Sequence, residues 1–176
     1  MPSTQGNDFK NQMEAQNSSA ERKIKMKTTG VPEGCHAVTP YLTVADAARL
    51  IDFLKRAFGA TERARIPRPD GSVMHAQVYV GDSLLMIGEP QDPWKPRPSM
   101  LYHYVADVDA VYQQALAAGG TSVVPPTNMF YGDRSACVKD TGENDWWIAT
   151  RLEDASLEEI KKRTVDFFKN KAKAAD

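Results

Sequence analysis

The sequence predicts an α+β domain made of two tandem βαβββ units, their mixed sheets paired as cups with the helices outside, followed by a C-terminal helix. Two observations carry this. The order of elements occurs twice, and a gap-free shift of 61 residues brings nine identities into register over residues 41–87, where about three are expected by chance. The matches are Tyr41 with Tyr102, Val44-Ala45-Asp46 with Val105-Ala106-Asp107, Ala57 with Ala118, Gly59 with Gly120, Gly71 with Gly132, Gly81 with Gly142 and Ile87 with Ile148. They fall on helix caps and turn glycines, positions that constrain the backbone rather than fill a core.

Each element has a local reason. Val38–Val44 is apolar and β-branched and reads as a strand. Asp46 offers a helix N-cap, Ala48, Ile51, Leu54, Ala57 and Phe58 recur at helical spacing, and Gly59 stops the helix. Ala60–Ile66 reads as an edge strand before a Pro69-Asp70-Gly71 turn. In Val73–Val80, Met74, Ala76, Val78 and Val80 alternate with His75, Gln77 and Tyr79, and a Gly81-Asp82 turn returns the chain as Ser83–Ile87. The second unit repeats this order: a strand at Met100–Val105, a helix from Asp107 to about Ala118 stopped by Gly119-Gly120, then short strands near Thr121–Val124, Arg134–Lys139 and Trp146–Thr150. Leu157–Lys171 carries Ile160, Thr164, Phe167 and Phe168 at helical spacing.

The organisation that follows is a polar tail over residues 1–31 and a domain over 32–155. Within the domain the units span about 37–88 and 99–152, joined by a proline-rich linker over 89–98, and residues 156–176 form a C-terminal helix and tail. Hydrophobic residues make up 41% of the 176, enough for a core, and the net charge of −1 lacks the clustered Lys and Arg that phosphate binding needs. No apolar run approaches the ~20 residues that span a bilayer. Cys35 and Cys137 have no ligand-spaced neighbours. A cytoplasmic protein with reduced thiols, without nucleic-acid or membrane partners, is the expectation.

His36-Ala-Val-Thr-Pro-Tyr-Leu42, Met74-His-Ala76, Tyr104-Val-Ala-Asp-Val-Asp-Ala110 and Phe130-Tyr-Gly-Asp-Arg-Ser135 together resemble the PhnB-like branch of the vicinal oxygen chelate superfamily, which includes glyoxalase I, extradiol dioxygenases and bleomycin-binding proteins. The resemblance covers roughly residues 32–160. It implies the glyoxalase/bleomycin-resistance-like fold and a cupped cavity, and leaves the chemistry open because many activities share that scaffold.

The resemblance also implies where a divalent metal would be held: Thr39 and Met86 in the first unit, Met100 and Trp147 in the second. None of the four is a good ligand for a hard or borderline cation. At Asp140-Thr-Gly-Glu-Asn-Asp145 the chain departs further from relatives that read Asp-Pro-Phe-Gly-His. No cofactor is therefore expected, with a non-standard metal set drawn from His36, His75, His103, Glu143 and Asp145 left open.

Strand alternation supplies the pocket. If Thr39 faces the cup, so do Tyr41 and Thr43, and Met100, Tyr102 and Tyr104 face it from the second unit. His75, Gln77 and Tyr79 form the cup face of the third strand, with Met74 among the residues beneath the helix. The repeat places Arg134, Ala136 and Val138 on the matching face. The expected ligand residues are Tyr41, His75, Gln77, Tyr102, Arg134 and Trp147, with His75 the best catalytic candidate as a proton carrier and Arg134 a clamp for an anionic group. Plainer roles compete: a hydrogen-bonded structural His75, tyrosines that simply fill a core, and an Arg134 paired with Asp133 or Asp140. Trp146 should be core, His103 a structural residue under the helix, His36 exposed, and Cys137 a buried inert thiol. Three functions remain, in this order: a metal-independent small-molecule-binding protein, a lyase, isomerase or dioxygenase of the superfamily type, and an interaction module. Each admits a homodimer.

Overall fold

The computed structural model describes residues 30–173; the polar tail expected at the N-terminus lies, but for its last residues, outside them. The described residues divide into two units, with the boundary between Val38 and Thr39. The described part of the first holds a turn closed by Cys35 N–H to the Pro32 carbonyl at 3.0 Å. The fold and the site lie in the second unit.

Each half of that unit is a four-stranded mixed sheet with one helix. The first half contains β1 (Tyr41–Thr43), α1 (Ala47–Phe58), β2 (Thr61–Pro67), β3 (Val73–Val80) and β4 (Ser83–Gly88). The second contains β5 (Met100–Tyr104), α2 (Val108–Ala117), β6 (Thr121–Asn128), β7 (Asp133–Lys139) and β8 (Asp145–Arg151). The strand orders are β1-β4-β3-β2 and β5-β8-β7-β6, with β1 parallel to β4 and β5 parallel to β8. The duplication read from the sequence is thus the architecture. Its offset is visible in the pairing too, since Tyr41 faces Met86 and Tyr102 faces Trp147, each 61 residues on.

The helices start and stop where their caps dictate. Asp46 Oδ1 accepts the Arg49 N–H at 2.9 Å, and Asp107 Oδ1 accepts the Ala110 N–H at 3.0 Å. Gly59 sits at φ +63° and donates to the Lys55 carbonyl while Ala60 donates to Leu54, a left-handed stop that glycine adopts without strain. Leu50, Ile51, Phe53, Leu54 and Ala57 form one buried face of α1. They pack on Leu42, Ala76, Val78, Val80, Leu85 and Ile87 from the first sheet, and the core continues through Val108, Tyr112, Ala136, Val138, Trp146 and Ile148 of the second half. The halves meet through α1 and α2, where Gln114 Nε2 donates to the Arg56 carbonyl at 2.7 Å.

Four expectations need correction. The first strand is shorter than Val38–Val44: Val38 is exposed and Pro40, without an N–H, precedes pairing that begins at Tyr41. Strand β6 runs past Val124 through Pro125 and Pro126, which an edge strand tolerates. Met74 does not meet the helix but is 43% exposed. Ile66 pairs with His75 and Pro67 with Val73, so Met74 is the unpaired residue of a bulge and is turned outward. Fourth, the face assigned to β7 is inverted, as described below.

The C-terminal helix α3 (Leu157–Lys173) is held by Phe167 against Phe130, with centroids 5.0 Å apart. Arg163 secures it further, donating to the Phe130 carbonyl and pairing with Glu153 and Glu159. Leu157, Val165 and Phe168 remain exposed on its surface.

Candidate functional site

Helices cover one face of each sheet and leave the other open. On the first sheet that open face carries Tyr41, His75, Gln77, Tyr79 and Met86, the residues alternating with buried Leu42, Ala76, Val78, Val80 and Ile87. The rings of Tyr41 and His75 are 5.8 Å apart. Gly88 makes room for this arrangement: a Cβ there would lie 2.4 Å from Tyr41 Oη and 2.8 Å from the Met74 carbonyl, to which that hydroxyl donates.

On the second sheet the open face carries Tyr102, Tyr104, Trp147, Cys137 and Ser135. Tyr102 and Tyr104 are tilted rings 5.2 Å apart, 46% and 60% exposed. Their hydroxyls converge on the buried Asp133 carboxylate, with Oδ2 at 3.4 and 3.2 Å, while Arg151 Nη1 reaches Oδ1 at 2.9 Å. Burial, reinforced by Tyr131 and the Asp133 charge, raises the pKa of Tyr102 above the ordinary tyrosine value. Burial and the bond to Asp133 raise that of Tyr104. Both rings are therefore neutral platforms fixed at one end. The sequence reading missed Asp133 and Arg151 as their anchors. The signal was their pairing as opposite residues at the mouth of one hairpin, legible only once the β7–β8 register is known.

That register also relocates Arg134. Gln77 faces Met86 in the first sheet, but Cys137, 60 rather than 61 residues on, faces Trp147 in the second. The β7–β8 hairpin is one residue longer, because Asp140 builds a loop in place of the two-residue Gly81-Asp82 turn. Its Oδ1 accepts the N–H groups of Gly142 and Asn144, and its Oδ2 accepts Asn144 Nδ2 and Trp146 Nε1. A slip of one residue moves every side chain to the opposite face. Ala136 and Val138 are accordingly buried under α2, and Arg134 lies on the helix side with both ends of its guanidinium on Asp109 at 2.7 Å. Its ion-pair partner is neither Asp133 nor Asp140, and it does not join the open face.

The other placements are as follows. Trp146 is buried in the core and Trp147 half-buried on the open face. His103 lies between Phe58 and Trp146, at 5.2 and 6.4 Å, with burial lowering its pKa so that the imidazole is neutral at pH 7. His36 is exposed. Cys137 is buried, which pushes its thiol up to about 11 and leaves almost no thiolate at neutral pH.

A cavity of about 670 Å³ opens between the edge strands β1 and β5. Tyr41, Met100, Tyr102 and Tyr104 stand at its mouth, with Leu42, Leu85, Leu101, His103 and Trp146 deeper in its wall. The volume lies within the ~300–1,000 Å³ typical of small-molecule sites. Thr39, Met86, Met100 and Trp147, the positions implied for a metal, offer a hydroxyl, two thioethers and an indole, a donor set that does not fit a hard divalent cation. Among the described residues no three His, Cys, Asp or Glu side chains come together as a ligand group. Nor, among them, is any helix long and apolar enough to cross a membrane.

Comparison with known proteins agrees with this geometry. The family model described as Glyoxalase/Bleomycin resistance protein/Dioxygenase superfamily matches residues 35–148. An uncharacterized protein of Mycobacterium bovis is 33% identical over 135 residues, spanning 70% of this chain and 89% of its own length. Among solved structures, TioX from Micromonospora sp. ML1 superposes with a TM-score of 0.58 at 25% identity, over 67% of this chain and all of its own. TnmS3, an antibiotic binding protein from Streptomyces sp. CB03234, does so with a TM-score of 0.55 at 22% identity, over 66% and 96%.

Proposed function

We propose, because this chain belongs to the Glyoxalase/Bleomycin resistance protein/Dioxygenase superfamily, that it binds a small planar organic molecule on its open aromatic faces without the superfamily's usual divalent metal. The observation that carries this reading is the ~670 Å³ cavity whose mouth is made of Tyr41, Tyr102 and Tyr104. Exposed rings of fixed orientation suit stacking with a planar ligand, at roughly 0.5–1.5 kcal/mol per aromatic pair beyond simple burial. His75 and Gln77 share the open face of Tyr41, and Trp147 that of Tyr102; they lie outside the cavity lining, where a ligand extending over the faces would meet them. TnmS3, of the same fold, is an antibiotic binding protein, which supports a binding role for this chain.

The same exposed tyrosines, with Met100 at 71% exposure, favour a homodimer in which the open face of one copy covers that of another. An enzymatic reading has one point in its favour, the His75 imidazole beside the Tyr41 ring, and in it His75 would move a proton without a metal.

The test is thermal unfolding of the full chain with bleomycin and a panel of planar aromatic compounds, alongside its metal content by elemental mass spectrometry. A ligand at a hundred times its Kd adds about 2.7 kcal/mol, a rise of roughly 5–10 °C for a chain of this size. Tyr102→Ala should abolish the rise. A stoichiometric, tightly held metal, or a rise that survives Tyr102→Ala, would overturn the reading.

A further inference from the structure

A second cavity, of about 430 Å³, lies at the other end of Tyr41. It is lined by Tyr41, Thr43, Arg68, Met74, Glu89, Gln91 and Trp94, and shares only Tyr41 with the larger one. Trp94 is the most exposed of its rings, at 66%, on the proline-rich linker between the two halves. That linker is tied along β1 by the Arg97 N–H, which donates to the Thr43 carbonyl at 3.2 Å. The indole stands in solvent over the cavity and takes no part in the core.

The two charged residues of this cavity are both fixed. Arg68 donates from Nη1 to Ser72 Oγ and from Nη2 to the Glu89 carbonyl, each at 3.1 Å. Glu89 Oε1 accepts the N–H groups of Ala47 at 3.3 Å and Val73 at 3.2 Å. Each bond uses part of its group, leaving guanidinium N–H donors and a carboxylate oxygen uncommitted in these contacts. Among the described residues no ion pair joins Arg68 to Glu89. The cavity therefore holds one cation and one anion, both half-buried, beside two rings and the exposed thioether of Met74.

A ligand of single charge would meet one group of opposite sign and one of its own, and the like-charge contact would offset the gain. A ligand with a carboxylate and an ammonium a few ångströms apart meets both favourably. We propose that this cavity binds a small aromatic zwitterion of the amino-acid type, its carboxylate on Arg68, its ammonium on Glu89 and its ring against Trp94 and Tyr41. The site shares only Tyr41 with the larger cavity, and its charge logic does not depend on what that one binds.

The charge logic gives a test that a merely structural role would not pass. Isothermal titration of the full chain would use L-phenylalanine, 3-phenylpropionate and phenethylamine, which share a ring and differ in charge. L-Phenylalanine should bind at least ten times more tightly than either analogue. Arg68→Gln should turn the preference towards phenethylamine, and Glu89→Gln, which keeps an oxygen for the Ala47 and Val73 amides, towards 3-phenylpropionate. Trp94→Ala should weaken all three alike, and Tyr102→Ala, in the other cavity, should leave them unchanged. Failure of L-phenylalanine to bind more tightly than both analogues, or an equal loss for every probe in Arg68→Gln and Glu89→Gln, would overturn the proposal. Should Glu89→Gln not fold, the opposite behaviour of Arg68→Gln and Trp94→Ala towards phenethylamine decides the matter.

Discussion

Replacing Asp140 by alanine is the sharpest probe of how this fold sets its second open face. The carboxylate is 4% exposed and accepts from the N–H groups of Gly142 (2.7 Å) and Asn144 (2.9 Å), from Asn144 Nδ2 (2.9 Å) and from Trp146 Nε1 (2.8 Å). Alanine orphans three donors that water reaches poorly, the Asn144 N–H, Asn144 Nδ2 and Trp146 Nε1, because Asn144 is fully buried and Trp146 is 2% exposed. Each costs about 1–3 kcal/mol. The N–H of partly exposed Gly142 recovers its bonding from solvent, and the desolvation cost of the carboxylate is regained. The net loss is about 3–4 kcal/mol, large against the ~5–15 kcal/mol stability of a typical domain yet short of unfolding most of them. Asp140→Asn keeps one acceptor oxygen and turns an NH₂ towards the remaining donors, so it should fall between alanine and the native protein. Urea denaturation followed by circular dichroism measures both. A loss below about 1 kcal/mol for Asp140→Ala would refute the claim that this carboxylate builds the loop.

Three further outcomes follow from particular contacts. Arg134→Ala should leave ligand affinity within about twofold of native, because its guanidinium lies on Asp109 at the helix side and any surface ion pair contributes little; a tenfold loss would put it back in the pocket. Tyr102 and Tyr104 should ionise above the ordinary value of about 10, and ultraviolet titration should show both moving down in Asp133→Asn. Since the folded state holds these protons more tightly than the unfolded one, their contribution is full below about pH 10 and is lost as pH rises through the folded pKa values; Asp133→Asn brings those values down, so stability should fall by less above pH 10 in that variant. Gly88→Ala should cost about 1–3 kcal/mol by overpacking, and should displace the Tyr41 ring so that ligands of both cavities bind more weakly; unchanged binding would mean that Tyr41 does not line them in solution.

Much of the scaffold was legible because its signals are local. Asp46, Asp107 and Gly59 act on backbone groups within four residues of themselves, so the helices could be bounded from sequence alone. The alternation of Ala76, Val78 and Val80 with His75, Gln77 and Tyr79 gave the correct face of β3 because one side packs on α1 and the other does not. What failed was whatever depended on the length of a ladder between distant residues. A one-residue bulge at Met74 and a one-residue longer hairpin at Asp140 leave no periodic trace, yet each reverses the side chains on one part of a strand. The Asp140 loop is set by a carboxylate that reaches Trp146 across the turn, a tertiary contact to which a gap-free repeat is blind.

The candidate site is harder to read than the fold for a related reason. Core positions such as Ile87 and Ile148 are repeat mates that stay apolar because both must pack beneath a helix. Thr39 with Met100, and Met86 with Trp147, are mates in the same repeat, but their open-face positions are not bound to a helix and differ in size and chemistry. Duplication therefore preserves the cup while leaving its lining free to change. A scaffold shared with metal-dependent relatives carries no information about whether the ligands persist. That information lies in the side chains themselves, a hydroxyl, two thioethers and an indole where a cation would need oxygens and imidazoles, and in the tyrosines that Asp133 and Arg151 hold beside them.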